Sequence, residues 1–188
     1  MPSPSMNRRA FMASVATGVA SSWLLAQASD LEAAGRYAAT VARNAPYETL
    51  TSDQARELDA VSAAIVPTDD TPGAREAHVV RFIDRSLATF AKDQREPLVK
   101  ALDAVGAAVE KKKPGTRSFA ALSRDEQDSV LQDLFQHDKP TFFAMRGATM
   151  AGMFSNPEYG GNANKIGWKI IGFEDRFSWV PPFGYYDR

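Results

Sequence analysis

Pro97-Leu98-Val99-Lys100-Ala101-Leu102-Asp103-Ala104-Val105-Gly106-Ala107-Ala108-Val109-Glu110 is the most regular stretch of the chain. Leu98, Leu102, Val105 and Val109 recur at i, i+4, i+7 and i+11, which lines one face of an α-helix with apolar side chains. Pro97 starts the helix, at a favoured first position. Lys111-Lys112-Lys113-Pro114-Gly115 stops it, because cations suit the negative end of the helix dipole and proline followed by glycine breaks the pattern. Three lysines also suit a phosphate, but a solvated helix end accounts for them more simply.

The same period extends in both directions. Upstream, Thr51 with Gln54 is a capping box, and Leu58, Val61 and Ile65 form the buried stripe of a helix that Pro67 ends. Pro67-Thr68-Asp69-Asp70-Thr71-Pro72-Gly73-Ala74 is a dense turn. Its acids lack the twelve-residue calcium spacing, so capping and side-chain turns explain them better than a metal does. Arg75 to about Ala91 reads as a second helix, with Val79, Phe82, Ile83, Leu87 and Phe90 on its apolar side and His78 as a satisfied or solvated side chain. Lys92-Asp93-Gln94-Arg95-Glu96 breaks the pattern before Pro97. Downstream, Phe119 and Leu122 pack a turn, and Ser123 with Glu126 makes a second capping box. Val130, Leu131, Leu134 and Phe135 then form a stripe that closes at His137-Asp138-Lys139. Pro140 opens a last helix to about Phe154. Phe142, Phe143, Met145, Met150, Met153 and Phe154 leave it apolar nearly all round, which predicts burial on more than one side, with the methionines in the core. The expected fold is all-α: about five helices with an irregular, aromatic C-terminal arm.

Beyond Asn156-Pro157-Glu158-Tyr159 the pattern changes. Residues 160–173 hold four glycines, which marks positive-φ turns or close backbone approach. Ile166, Trp168 and Ile170 alternate, predicting a short extended segment, while Ile171 and Phe173 put apolar groups on its other face. Such a segment must be covered on both sides, by its own helices and by the tail or a second protein. The tail from Glu174 to Arg188 has no period. Phe177, Trp179, Phe183, Tyr185 and Tyr186 flank Pro181-Pro182 on a backbone that cannot be helical, and aromatic rings of this kind are enriched at interface hot spots.

At the other end, Asn7-Arg8-Arg9-Ala10-Phe11-Met12 has the form of a twin-arginine export motif. The apolar run from Phe11 to Ala28 is diluted by serine, threonine and glycine, so it falls short of the ~20 strongly apolar residues of a membrane span. Ala26-Gln27-Ala28 offers a cleavage site. The expected organisation is therefore a signal peptide over 1–28, a linker over 29–49 with a loose helix between Leu31 and Arg43, a helical domain over 50–159, and a signature segment with its arm over 160–188.

Little in the composition points to chemistry. The chain has 188 residues, a formal net charge of −1, two histidines and no cysteine. Near-zero charge gives no electrostatic case for nucleic acid. The lack of cysteine removes thiolate zinc sites, iron–sulfur ligation and c-type haem attachment on this chain. No serine sits in a nucleophile elbow, no glycine-rich loop follows a strand, and nothing brings Glu158 and Asp175 together as a carboxylate pair. No catalytic, cofactor-binding or metal-binding residue is assigned.

Gly161-Asn162-x-x-x-Ile166-Gly167-Trp168-Lys169-Ile170-Ile171-Gly172-Phe173 resembles the signature of the gluconate 2-dehydrogenase subunit 3 family. The similarity runs from about Leu50 to about Phe173 and includes the Pro-Thr-Asp…Pro-Gly-Ala turn after the first helix. The resemblance implies a small, cofactor-free subunit of an FAD-dependent sugar or polyol dehydrogenase. FAD would belong to a larger partner of the glucose–methanol–choline (GMC) type. A cytochrome c with its haem, or an iron–sulfur centre elsewhere in the complex, would carry electrons onward. The twin-arginine translocase would export the folded pair to the periplasm, with membrane association through the complex or an uncleaved leader. Gluconate 2-dehydrogenase, glucose dehydrogenase and glucoside 3-dehydrogenase types fit equally. The expected partner interface is Tyr159, Trp168, Phe173, Phe177, Trp179, Phe183, Tyr185 and Tyr186, and the export signal is Arg8 and Arg9. The alternatives are a stand-alone periplasmic carbohydrate-binding protein or enzyme, and a membrane-tethered structural protein.

Overall fold

The structure, a computed structural model, describes residues 45–176. Its helices are α1 (Ser52–Ile65), α2 (Val79–Ala88), α3 (Arg95–Lys112), α4 (Arg124–His137), α5 (Lys139–Phe154) and α6 (Ile166–Ile170). No strand occurs among the described residues. Both capping boxes form. The Gln54 amide donates to Thr51 Oγ1 at 3.1 Å while Gln54 Oε1 accepts from the Thr51 amide at 3.0 Å, and Ser123 and Glu126 repeat the exchange. Each box satisfies two of the amides that a helix start leaves without partners.

Helix α5 is the axis of the domain. It packs against α1, α2, α3, α4 and α6, and Met145, Ala148, Thr149 and Met153 on it are fully buried. Around it close Leu58 and Val61 of α1, Ile83 and Leu87 of α2, Val105 and Val109 of α3, and Val130 of α4. Each such side chain contributes about 1.5–3 kcal/mol when taken from water. The Thr149 hydroxyl in this interior donates to the Met145 carbonyl at 2.8 Å and lies 3.2 Å from the buried Ser62 Oγ. The connection between α3 and α4 is held from α1: Glu57 accepts from the Ser118 hydroxyl at 2.7 Å and the Ala120 amide at 3.0 Å, which seats Phe119 in the core.

Residues 45–50 lie against α2. The buried Asp84 carboxylate accepts from the amides of Glu48, Thr49 and Leu50 at 3.0, 2.9 and 3.0 Å, and from the Thr49 hydroxyl at 2.8 Å. Arg81 donates to the Ala45 carbonyl and stacks on the Tyr47 ring, 4.2 Å from its centroid. The expected loose helix between Leu31 and Arg43 lies outside the described residues.

Three sequence expectations are corrected. Residues 166–170 are a helical turn rather than an extended segment. The second helix starts at Val79, not Arg75, because His78 takes a left-handed conformation at φ 57°. In a helix continued from Arg75, the Ala77 carbonyl would accept from Arg81; here it accepts from Ala163 at 3.2 Å, and the Arg81 amide turns to His78 instead. The third helix starts at Arg95, so Pro97 sits inside its first turn, where an amide has no intrahelical acceptor anyway.

The 67–76 turn is closed by its own acids. Asp69 accepts from both the amide and the hydroxyl of Thr71. Glu76 accepts from the Thr68 hydroxyl and the Gly73 amide, each at 2.8 Å. The Thr68 hydroxyl is the main reason that Glu76 is held below its ordinary carboxylate range, with backbone amides adding to it. A depressed folded-state value means that this turn is stabilised near neutrality and loosens as pH falls through the lowered value. In an NMR titration Glu76 is expected to protonate below the ordinary glutamate range, and Thr68→Val should move it back up.

Candidate functional site

The C-terminal end of α5 is where the glycine-rich segment becomes intelligible. The last carbonyls of a helix have no intrahelical donor. Here Asn162 and Trp168 supply donors. The Asn162 amide donates to Gly152 O at 2.9 Å, Asn162 Nδ2 to Ser155 O at 2.9 Å, and Trp168 Nε1 to Phe154 O at 2.9 Å. Asn162 is fully buried and spends its remaining oxygen on the Gly167 amide at 2.8 Å, which starts α6. One asparagine thus caps one helix and opens the next.

This clasp explains the signature glycines by contact. A methyl group at Gly161 would strike Gly152 O and stand 2.8 Å from Phe82 Cβ. One at Gly167 would run into Met153 O. Asn162, Asn164 and Lys165 all take positive φ, at 43°, 58° and 58°, a conformation that asparagine tolerates and lysine seldom adopts.

The end of α6 and the residues that follow it leave apolar side chains in water, while Ile166 packs on the core. Ile170 is 43 % exposed, Ile171 59 % and Phe173 47 %. The Phe173 ring meets Trp168 edge-on at 5.0 Å. Lys165 stands 5.6 Å from the Trp168 ring centroid and pairs with Asp175 at 3.0 Å. Contiguous exposed apolar groups of this kind mark interaction sites on soluble proteins. Of the expected interface residues, the structure brings Trp168 and Phe173 together here. Tyr159 is elsewhere, half-buried on a short 3-10 turn with its ring edge-on to Phe90 at 6.4 Å. Phe177, Trp179, Phe183, Tyr185 and Tyr186 lie outside the described residues, as do Arg8 and Arg9. Of the two carboxylates Glu158 and Asp175, Asp175 pairs with Lys165. Among the described residues no three His, Cys, Asp or Glu side chains cluster as metal ligands, and no helix is long and apolar enough to cross a membrane.

A second apolar cluster was not foreseen. Phe135, Phe142 and Phe143 pack edge-on with centroids 5.2, 6.3 and 5.5 Å apart, yet Phe135 is 41 % and Phe143 43 % exposed.

The gluconate 2-dehydrogenase subunit 3 family matches over residues 52–175 of the 188, which takes in α1 through α6 and the clasp. The chain belongs to that family. No curated protein and no solved structure matches it. As a subunit 3 family member it is an accessory subunit of a multi-subunit dehydrogenase complex. The clasp fits such a role, because a rigid element holding apolar side chains in water suits contact with another chain.

Proposed function

We propose that this chain is the non-catalytic small subunit of a periplasmic FAD-dependent sugar dehydrogenase, and that it binds, stabilises and escorts the GMC-type flavoprotein subunit. The observation that carries this reading is the exposed Ile170, Ile171 and Phe173 cluster, fixed to the end of α5 by Asn162 and Trp168. A rigid apolar patch binds at low entropic cost, since little has to be ordered on association. The aromatic arm beyond Arg176 would extend the same contact, and a cytochrome c or iron–sulfur centre elsewhere in the complex would take the electrons. The leader with Arg8 and Arg9 would serve both chains through the twin-arginine translocase and deliver the pair to the periplasm.

Co-expression with the flavoprotein subunit tests both parts. Ile171→Asp puts a carboxylate at the centre of the patch and is expected to cut co-purification of the flavoprotein by about tenfold or more. Arg8→Lys with Arg9→Lys should leave the pair intact but hold it in the cytoplasm. Full periplasmic yield of the flavoprotein with both variants would end this reading.

A further inference from the structure

The two exposed clusters are joined. Along α5, Phe143, Gly147, Met150 and Phe154 recur at i, i+4, i+7 and i+11 and so share one face. Phe143 is exposed and the other three are only half-buried, although the opposite face of the same helix, with Met145, Ala148 and Gly152, is the centre of the core. The outward face is therefore an apolar stripe. It begins at the Phe135–Phe142–Phe143 rings and ends at Phe154, whose carbonyl takes the Trp168 indole beneath the α6 cluster. From Phe143 to Phe154 the stripe runs along α5 for about 16 Å. Two cations stand on its margin. Lys139 and Arg146 are exposed, and among the described residues neither is engaged in an ion pair or hydrogen bond.

We infer that this whole stripe, and not the α6 cluster alone, is the surface on which the catalytic subunit docks, and that the partner presents an elongated apolar ridge with a carboxylate opposite Arg146. The inference rests on the function proposed above and specifies its contact. Two observations select this occupant. The stripe is continuous with the α6 cluster, since Trp168 and Gly167 sit on Phe154, so one partner covers both. Its unpaired cations flank an apolar centre enriched in aromatic, methionine and arginine side chains, the composition that distinguishes interface cores from ordinary surface, and they call for acidic groups across the contact.

The test uses the co-expressed two-subunit complex. Phe143→Asp and Arg146→Glu are each expected to weaken binding of the catalytic subunit about tenfold or more, with the far-UV dichroism and melting of the small subunit unchanged. Arg146→Glu should be rescued by reversing one acidic residue on the partner to lysine. A photo-crosslinking benzoylphenylalanine in place of Phe143 should join the catalytic subunit, near that acidic residue. It reports the contact even if Phe143→Asp fails to fold. Crosslinks to a second copy of this chain, to its own residues 177–188 or to lipid overturn the inference. So does wild-type binding by both variants while Ile171→Asp abolishes capture, a result that leaves the proposed function standing. If none of the three substitutions affects capture, the function falls with the stripe.

Discussion

Gly167→Ala is expected to lower the unfolding free energy by about 3 kcal/mol, the upper part of the range for forcing a methyl group into a filled site. The added carbon would meet the Met153 carbonyl oxygen, a backbone atom at the end of the central helix that cannot swing aside as a side chain can. The chain has two responses. It can hold α6 in place and strain the end of α5, or it can release α6 and lose the Asn162–Gly167 and Trp168–Phe154 hydrogen bonds at 2.8 and 2.9 Å. Release also strands the buried Asn162 side-chain oxygen, and each buried polar atom left unmatched costs about 1–3 kcal/mol. Gly172→Ala is the control. That glycine has φ +66° but nothing within 4 Å of where a methyl would go, so only the left-handed backbone cost of about 1–2 kcal/mol applies. Denaturant melts of the two variants separate the causes. Equal losses would mean that backbone conformation, not close approach to α5, is what the signature glycines provide. Because Ile170 and Ile171 ride on α6, the Gly167 variant should also capture less flavoprotein, whereas Gly172→Ala should retain most of it.

The five longer helices were legible because each carries its own local signals. Thr51 with Gln54 and Ser123 with Glu126 marked two starts, and the stripe of Leu98, Leu102, Val105 and Val109 marked the third helix; all of these form as read. What was not legible depends on contacts far along the chain. The start of α2 is displaced because Ala163, over eighty residues later, takes the Ala77 carbonyl. The period-two pattern of Ile166, Trp168 and Ile170 is equally a pair at i and i+4 plus one, and in so short a run periodicity cannot separate strand from helical turn. Tertiary hydrogen bonds decide it, through Asn162 and Gly167.

The candidate site was half legible for the same reason. Trp168 and Phe173 stood out by type and do meet. The apolar character of the last long helix predicts burial on several sides, which its neighbours supply, but it also predicts a core place for Met150, which the structure leaves half-buried on the outward face beside the exposed Phe143. Helix α5 is enclosed by its neighbours over most of its circumference and open along one line. A sequence in which every face is apolar cannot say which face is left uncovered, since that depends on where the other helices stop. The glycines, asparagine and tryptophan of the signature are consumed within the chain, capping α5, and Ile170, Ile171 and Phe173 are left exposed.

The other large effect is expected at Asp84. Asp84→Ala should cost about 4 kcal/mol and Asp84→Asn about 2 kcal/mol, since hydrogen bonds to a charged acceptor contribute about 1.5–3 kcal/mol each and partial rehydration returns some of that. Oδ1 accepts from the Thr49 amide and hydroxyl and from the Leu50 amide, and Oδ2 from the Glu48 amide. Alanine removes every acceptor and leaves a buried donor at Leu50. Asparagine can keep the Oδ1 contacts only by turning its NH2 group toward the Glu48 amide, donor against donor. These bonds fix the approach to Thr51, whose capping box starts α1, so the substitution reaches beyond its own contacts: residues 45–50 should lose their hydrogen-exchange protection first, and the first turn of α1 next. The clasp at the C-terminal end of α5 is held by its own bonds to Gly152, Phe154 and Ser155 and should keep its protection. Exchange mapped by mass spectrometry on Asp84→Asn distinguishes the outcomes. Uniform loss across all helices would show that Asp84 supports the whole core directly; loss confined to residues 45–56 would show that a single carboxylate ties the chain leading into the domain to α2.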